Sequence, residues 1–192
     1  MKDGRGIFTS VIGDCYEGYW KGGKPNGWGK HIFATGNEYE GEWVNCQKQG
    51  KGMEKYAEIG CSYTGFFDNN VPNGIGRYFY KNKSTYTGDF VSGDKTGICK
   101  LTLGNGSTYI GQIKDNIKTG YGHFVWASGN KYSGQYQNDK RHGNGIMQWT
   151  DGSVYKGEWS EGIQDGHGEM NFTDGRESRV GRFENNVFKG NS

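Results

Sequence analysis

An all-β fold is predicted for this chain of 192 residues: an elongated, single-layer antiparallel meander of stacked β-hairpins, twisted into an open groove. Three observations carry the prediction. A unit of about 23 residues recurs along the sequence, aromatic residues and glycines inside each unit alternate at every second position, and turn-forming clusters of Gly, Asn and Asp separate the alternating segments. Period two marks strands, because successive side chains leave opposite faces. A fixed repeat marks supersecondary units that share one continuous core.

A tyrosine opens each unit, at Tyr16, Tyr39, Tyr63, Tyr86, Tyr109, Tyr132 and Tyr155. Two positions later stand Gly18, Gly41, Gly65, Gly88, Gly111, Gly134 and Gly157, and four positions later Trp20, Trp43, Phe67, Phe90, Ile113, Tyr136 and Trp159. A glycine pair follows at offsets 11 and 13, from Gly27 and Gly29 to Gly166 and Gly168, with Cys99 the one substitute. Phe33, Tyr56, Tyr80, Leu103, Trp126, Trp149 and Phe172 close the units. The whole chain, 1–192, is therefore expected to be a single array. It begins with a half repeat over 1–15, continues with repeats starting at 16, 39, 63, 86, 109, 132 and 155, and ends in a partial repeat over 179–192.

Within a unit the polar stretches KGGKPNG (21–27) and DNNVPNG (68–74) are expected to be turns, with both prolines, Pro25 and Pro72, at the same offset. A second turn, such as Asp151-Gly152 or Asp174-Gly175, leads back to the next tyrosine. Glycine weakens a strand unless something uses the missing side chain. Here the glycines share a face with the aromatics, so a ring is expected to lie over the bare backbone of its neighbours.

Composition excludes several classes. Thirty-six glycines with only two prolines and no Gly-X-Y period rule out collagen, and 15% aromatic residues rule out a disordered chain. The net charge of +2 comes from 23 basic and 21 acidic residues interspersed along the sequence, so no nucleic-acid partner is expected. The first residues lack the apolar run of a signal peptide and no segment approaches the ~18 apolar residues of a membrane span, which predicts a cytoplasmic protein. Cys15, Cys46, Cys61 and Cys99 lack metal-ligand spacing and are expected to be reduced thiols.

No catalytic chemistry is legible. The glycine pairs lead into strands rather than the helix that a phosphate-cradling loop requires. His31, His123, His142 and His167 fall in different units with no metal-binding partner at ligand spacing, and no Ser or Cys nucleophile has a base beside it in the pattern. The chain is expected to be no enzyme and to hold no metal or cofactor.

Binding surfaces are sought where a column is free to vary and is still apolar. At offset 15, on the glycine face, Tyr78, Leu101, Phe124, Met147 and Met170 follow His31 and Glu54; with the closing residues Trp126 and Trp149 they form one candidate groove. The same residues could equally complete the packing of the aromatic ladder. On the opposite face Ile75, Phe79, Ile98, Tyr121 and Val125 form a second apolar cluster where polar residues would be expected.

Units such as YKGEWSEGIQDGHGEMNFTDG (155–175) and YEGYWKGGKPNGWGKHIFATG (16–36) resemble MORN repeats, the membrane occupation and recognition nexus motif, with weaker agreement at Cys99 and Ile113. The resemblance spans essentially the full chain. It implies an extended sheet of hairpins curling into a groove. For function it implies the roles of MORN arrays in ciliary radial spokes, cytoskeletal scaffolds and membrane contacts, or as recognition parts of larger enzymes.

The expected function is thus a non-catalytic scaffold that docks a helical or extended segment of a protein partner, in a cytoskeletal or ciliary (axonemal, radial-spoke-like) assembly. The alternatives are a phospholipid-binding membrane-association module, for which Lys140, Arg141 and His142 offer only three adjacent bases, or the recognition domain of a larger enzyme. Unpaired strand edges also make self-association an expectation.

Overall fold

The computed structural model describes residues 1–190; Asn191 and Ser192, the last positions of the expected partial repeat, lie outside them. Among the described residues there are seventeen β-strands and no helix. Two compact units divide the chain, Met1–Lys95 and Thr96–Ser192.

The first unit holds β1 (Gly4–Thr9), β2 (Cys15–Lys21), β3 (Lys24–Ile32), β4 (Glu38–Val44), β5 (Gln47–Tyr56), β6 (Cys61–Asp68), β7 (Val71–Phe79) and β8 (Thr85–Val91). Each pairs antiparallel with the next. The second holds β9 (Asp94–Thr102, less its first two residues), β10 (Thr108–Lys114), β11 (Ile117–Val125), β12 (Lys131–Gln137), β13 (Lys140–Gln148), β14 (Val154–Ser160), β15 (Ile163–Asn171), β16 (Arg179–Glu184) and β17 (Val187–Gly190). The same consecutive antiparallel pairing runs through it.

Two-residue turns join the strands of each hairpin. Asn45-Cys46, Asn69-Asn70, Asp115-Asn116 and Asn138-Asp139 have positive φ at both residues, the type I′ geometry whose twist matches that of the flanking strands. The turns are therefore shorter than the seven-residue stretches expected at 21–27 and 68–74. Pro25 and Pro72 lie inside β3 and β7, opposite Trp20 and Phe67. A proline lacks an N–H to donate, but its carbonyl is used: the Pro25 and Pro72 oxygens accept from the turn amides of Cys46 and Gly93 at 3.0 and 2.9 Å. The glycine at offset 11 sits in a bulge of the second strand with positive φ, 98° at Gly27 and 114° at Gly166.

The register lines glycines up across the strands. In the first unit Gly6, Gly18, Gly29, Gly41, Gly52, Gly65, Gly76 and Gly88 are successive Cα partners. In the second, Gly111, Gly122, Gly134, Gly145, Gly157, Gly168 and Gly181 are. Apart from Tyr86, whose hairpin has Cys99 in place of the second glycine, each opening tyrosine lies over the glycine pair of its own hairpin. The hydroxyl of every opening tyrosine donates to the carbonyl three residues on, from Tyr16 to Tyr19 at 3.1 Å through Tyr155 to Glu158 at 3.0 Å.

The core of each unit is consequently one aromatic ladder on one face of the strands. Tyr16, Tyr39, Tyr63 and Tyr86 alternate with Trp20, Trp43, Phe67 and Phe90 in edge-to-face contacts of 5.0 to 5.6 Å between ring centroids. Tyr109, Tyr132 and Tyr155 alternate with Tyr136, Trp159 and Phe183 in the second unit, at 5.0 to 5.4 Å. Such pairs add about 0.5–1.5 kcal/mol each beyond the area they bury. The Trp43 and Trp159 indoles also donate to the Gly29 and Gly145 carbonyls at 3.1 and 3.2 Å, so the buried polar edge of each ring is satisfied.

Candidate functional site

With the ladder on one face, alternation sends the intervening residues to the other. In the second unit a row of Cα partners runs across that opposite face through Ile110, His123, Ser133, Ile146, Lys156, Glu169 and Val180. Two positions further along the strands a second row contains Tyr121 opposite Gln135, Asn144 opposite Glu158, and His167 opposite Arg182. Between the rows lies the glycine backbone from Gly122 to Gly181. The first row, these glycines, and Tyr121, Asn144 and His167 of the second row line an open groove of ≈ 860 Å³.

The polar side of this groove is held in place by the bulges. Gln112 Oε1 accepts from the Tyr121 amide at 2.8 Å, Gln135 Oε1 from the Asn144 amide at 2.7 Å, and Glu158 Oε2 from the His167 amide at 2.7 Å. Each bond ties a long side chain to backbone of the neighbouring strand, so the wall is formed before any ligand arrives. The Glu158 carboxylate does structural duty here, as does Glu42 in the first unit, where it accepts the Lys51 amide at 3.1 Å.

Apolar side chains alternate with polar ones along the groove. Ile110, Ile146 and Val180 are exposed on a strand face that usually carries polar residues. His123 Nδ1 and Ser133 Oγ lie 2.7 Å apart. The cross-strand partners of His123 are Ile110 and Ser133. The arrangement can bind, with hydrogen-bonding groups spaced among apolar ones along the trough. A smaller groove of ≈ 410 Å³ occupies the same face of the first unit, where Trp28, Met53 and Phe66 stand beside Glu40 and Lys51.

The residues singled out from the sequence divide between the faces. Ile75, Ile98 and Tyr121 are exposed on the opposite face, and Phe79 and Val125 are half-buried on it. Tyr121 lines the larger groove. On the aromatic face Tyr78 is the cross-strand partner of Tyr63 and Tyr86, Leu101 of Tyr109, and Phe124 of Tyr109 and Tyr132. Met147, 5% exposed, sits between Tyr132 and Tyr155, and Met170 sits opposite Tyr155. Phe124 and Trp126 contact each other with ring centroids 4.6 Å apart; Trp149 is half-buried at its turn. Column 15 thus flanks the tyrosines, while the larger groove lies on the other side of the strands.

Sequence reasoning passed over Ile110, Ile146, Val180, Trp28, Met53 and Phe66. A signal existed for three of them. Offsets 1 and 14 from the tyrosine are polar in most repeats, and Ile110 in the first column and Met53 and Ile146 in the second are exceptions.

Burial perturbs the titrating groups of the ladder. It pushes Tyr16, Tyr63, Tyr132 and Tyr155 up to about 12, and raises Tyr39, Tyr109 and Tyr136 as well. His31, stacked on Phe33 at 4.0 Å, is held below the ordinary imidazole value by burial and by Lys48, with Asp14 opposing. No three His, Cys, Asp or Glu side chains gather as metal ligands among the described residues.

A family model described as the MORN repeat matches residues 16–38, 39–58, 63–85, 86–108, 109–131, 132–154 and 155–175. Among solved structures, the G-box domain of the microcephaly protein CPAP, described with a suggested role in centriole elongation, is 15% identical. The match covers 93% of this chain and 99% of that chain with a TM-score of 0.53. The SAS-4 (dCPAP) TCP domain of Drosophila melanogaster, solved with a proline-rich motif of Ana2 (dSTIL), is 19% identical, with 81% and 90% covered and a TM-score of 0.43. The TCP10 domain of Danio rerio CPAP, solved with a peptide of STIL, is 16% identical, with 94% and 90% covered and a TM-score of 0.34. The G-box domain shares the fold of this chain.

Proposed function

This chain belongs to the MORN-repeat family, with seven repeats matched over residues 16–175, and from that premise we propose that it is a non-catalytic scaffold whose second unit holds an extended segment of a partner protein in its glycine-floored groove. The setting proposed is a cytoskeletal or ciliary assembly, as the family resemblance suggests.

One observation carries the binding reading: Ile110, Tyr121, Ile146 and Val180 stand exposed around one groove, on a sheet face where alternation ordinarily places polar residues. The geometry favours an extended occupant over a helix. The two walls are two residues apart along each strand, ~7 Å, which is narrower than the ~10 Å diameter of a helix with its side chains. Along the groove, the five strand intervals from Gly122 to Gly181 span ~24 Å, enough for about seven extended residues. The floor amides are already paired between strands, so affinity comes from apolar contacts and the polar groups of the walls rather than from an added strand.

A photo-reactive amino acid placed at position 146, and separately at Trp149 on the other face, tests this in the source cell. The expected outcome is a discrete adduct from position 146 that is absent from 149 and is lost when Tyr121→Asp and Ile110→Asp are added to a chain with unchanged circular dichroism. Equal adducts from both positions, or an adduct that survives the two aspartates, would remove the groove from consideration.

A further inference from the structure

Arg141 lies on β13 opposite Tyr136, on the aromatic face of the second unit. Its guanidinium stands 4.3 Å from the Trp159 ring centroid, with Tyr132 and Trp126 at 5.8 and 5.9 Å. One nitrogen donates to the Gly162 carbonyl at 2.5 Å, and another points at the Met147 sulfur 3.9 Å away, a weak acceptor. Among the described residues no carboxylate pairs with it. The two cations beside it are satisfied, Lys118 by Asp139 at 2.9 Å and Lys140 by Glu161 at 2.5 Å. Burial without a counter-ion lowers the Arg141 pKa from its ordinary value. A desolvated charge without a partner is costly.

The second repeat shows what such a position takes. Lys48 occupies the same offset, nine residues after the opening tyrosine, and likewise stands over aromatic rings, 5.2 Å from Tyr39 and 5.9 Å from Phe67. There the chain supplies its own carboxylate at offset 15: Glu54, 7% exposed, pairs with Lys48 and accepts the Tyr56 hydroxyl at 3.0 Å. In the sixth repeat offset 15 is Met147, and beside the cation is instead a pocket of ≈ 300 Å³ walled by Phe124, Trp126 and Tyr136, with the Lys118–Asp139 ion pair and Lys140 also lining it.

We propose that this pocket receives the carboxylate of an Asp or Glu side chain on a partner polypeptide, paired with the Arg141 guanidinium. A planar guanidinium presents paired donors that a carboxylate accepts with two oxygens. One uncompensated positive charge matches one carboxylate. A phosphate, at about −1.5 to −2, would need a second free cation, and Lys118 and Lys140 are both engaged. The pocket is on the face away from the groove, so either surface can be occupied, or fail to be, without the other.

The test is a titration of the whole chain, labelled with nitrogen-15 at arginine, followed at the Arg141 side-chain Nε–H and assigned by its loss in Arg141→Gln. The probes are the blocked tripeptide acetyl-Gly-Glu-Gly-amide, its Gln counterpart, and inorganic phosphate. The Glu peptide is expected to give a saturable shift, at least tenfold stronger in apparent affinity than the Gln peptide or phosphate. Met147→Glu, which restores at offset 15 the carboxylate that Glu54 provides, is expected to abolish the peptide response while the rest of the spectrum stays folded; it carries the test even if Arg141→Gln fails to fold. Equal responses to the Glu and Gln peptides, no response to either, tighter binding of phosphate, or an undiminished response in Met147→Glu would each overturn the proposal.

Discussion

A Cβ atom on Gly168 would lie 2.5 Å from the hydroxyl of Tyr155, because that ring crosses the glycine pair of its hairpin on the way to the Glu158 carbonyl. The glycine and the tyrosine are therefore one feature: the ring fills the space that any other residue at 168 would claim.

Replacing that glycine should be severe. Gly168→Ala is expected to cost about 3 kcal/mol, the upper range for overpacking a filled core, since the added methyl also meets the ring carbons at 2.6 Å. A loss of unfolding free energy below about 1 kcal/mol in chemical denaturation would mean that the ring shifts aside freely.

Removing only the hydroxyl is milder. Tyr155→Phe keeps the ring over the glycines and deletes the 3.0 Å bond to the Glu158 carbonyl, so the expected loss is about 1 kcal/mol. Chemical denaturation of the pair of variants separates the packing of the ring from its hydrogen bond.

Alkaline stability follows from the same rings. In the unfolded chain tyrosine ionises near ~10, whereas Tyr16, Tyr63, Tyr132 and Tyr155 are pushed up to about 12 in the fold. The raised values mean that the unfolded state releases protons first, so stability is intact below about pH 10 and declines as pH climbs towards 12. Tyrosinate absorbance and loss of β-sheet circular dichroism should rise together over that window. Ionisation of these four rings well before any loss of sheet signal would refute the linkage.

Acid has a separate handle in His31. Its folded pKa is depressed by burial, so the unfolded chain takes up the proton first and stability falls as pH drops below ~6.5. His31→Tyr, which installs the residue that Tyr78 places at the same offset, is expected to flatten the slope of stability between about pH 7 and pH 5. An unchanged slope in that variant assigns the effect to another group.

Adjacent residues on β13 should respond oppositely to truncation. Met147, 5% exposed, lies between two ladder tyrosines, and Met147→Ala is expected to cost about 2–3 kcal/mol. Ile146, 43% exposed on the groove side, should tolerate Ile146→Ala within about 0.5 kcal/mol. Thermal unfolding of the two variants checks both the assignment of faces and the fitness of position 146 as a reporter of binding.

Most of the architecture was legible in one dimension. The opening tyrosines, the glycines two positions later and the pairs at offsets 11 and 13 fall in the strands expected, and the ring lies over the bare backbone as the shared face required. Pro25 and Pro72 were misplaced for a local reason: a polar, glycine-ended stretch resembles a long turn, but Gly22-Gly23 and Asn69-Asn70 already reverse the chain with positive φ, which leaves the prolines to the next strand. The candidate site was less legible. Tyr121 was found because it belongs, with Ile75 and Ile98 at the same offset, to an apolar cluster on a face where polar residues are expected, whereas Val180 and Trp28 stand at positions whose neighbours across the strands only the register reveals.

By itself the sequence determined the hairpin repeat, the all-β class and the division of each strand into an aromatic face and an opposite one, because these depend on spacing along a single chain. The tertiary structure decided which atoms meet across strands. It placed Ile110 and Ile146 around the same glycine-floored groove, assigned Met147 to the core, and left the Arg141 guanidinium among rings without a carboxylate. Concavity and charge compensation are properties of residues brought together from different strands, and no column of the repeat contains them.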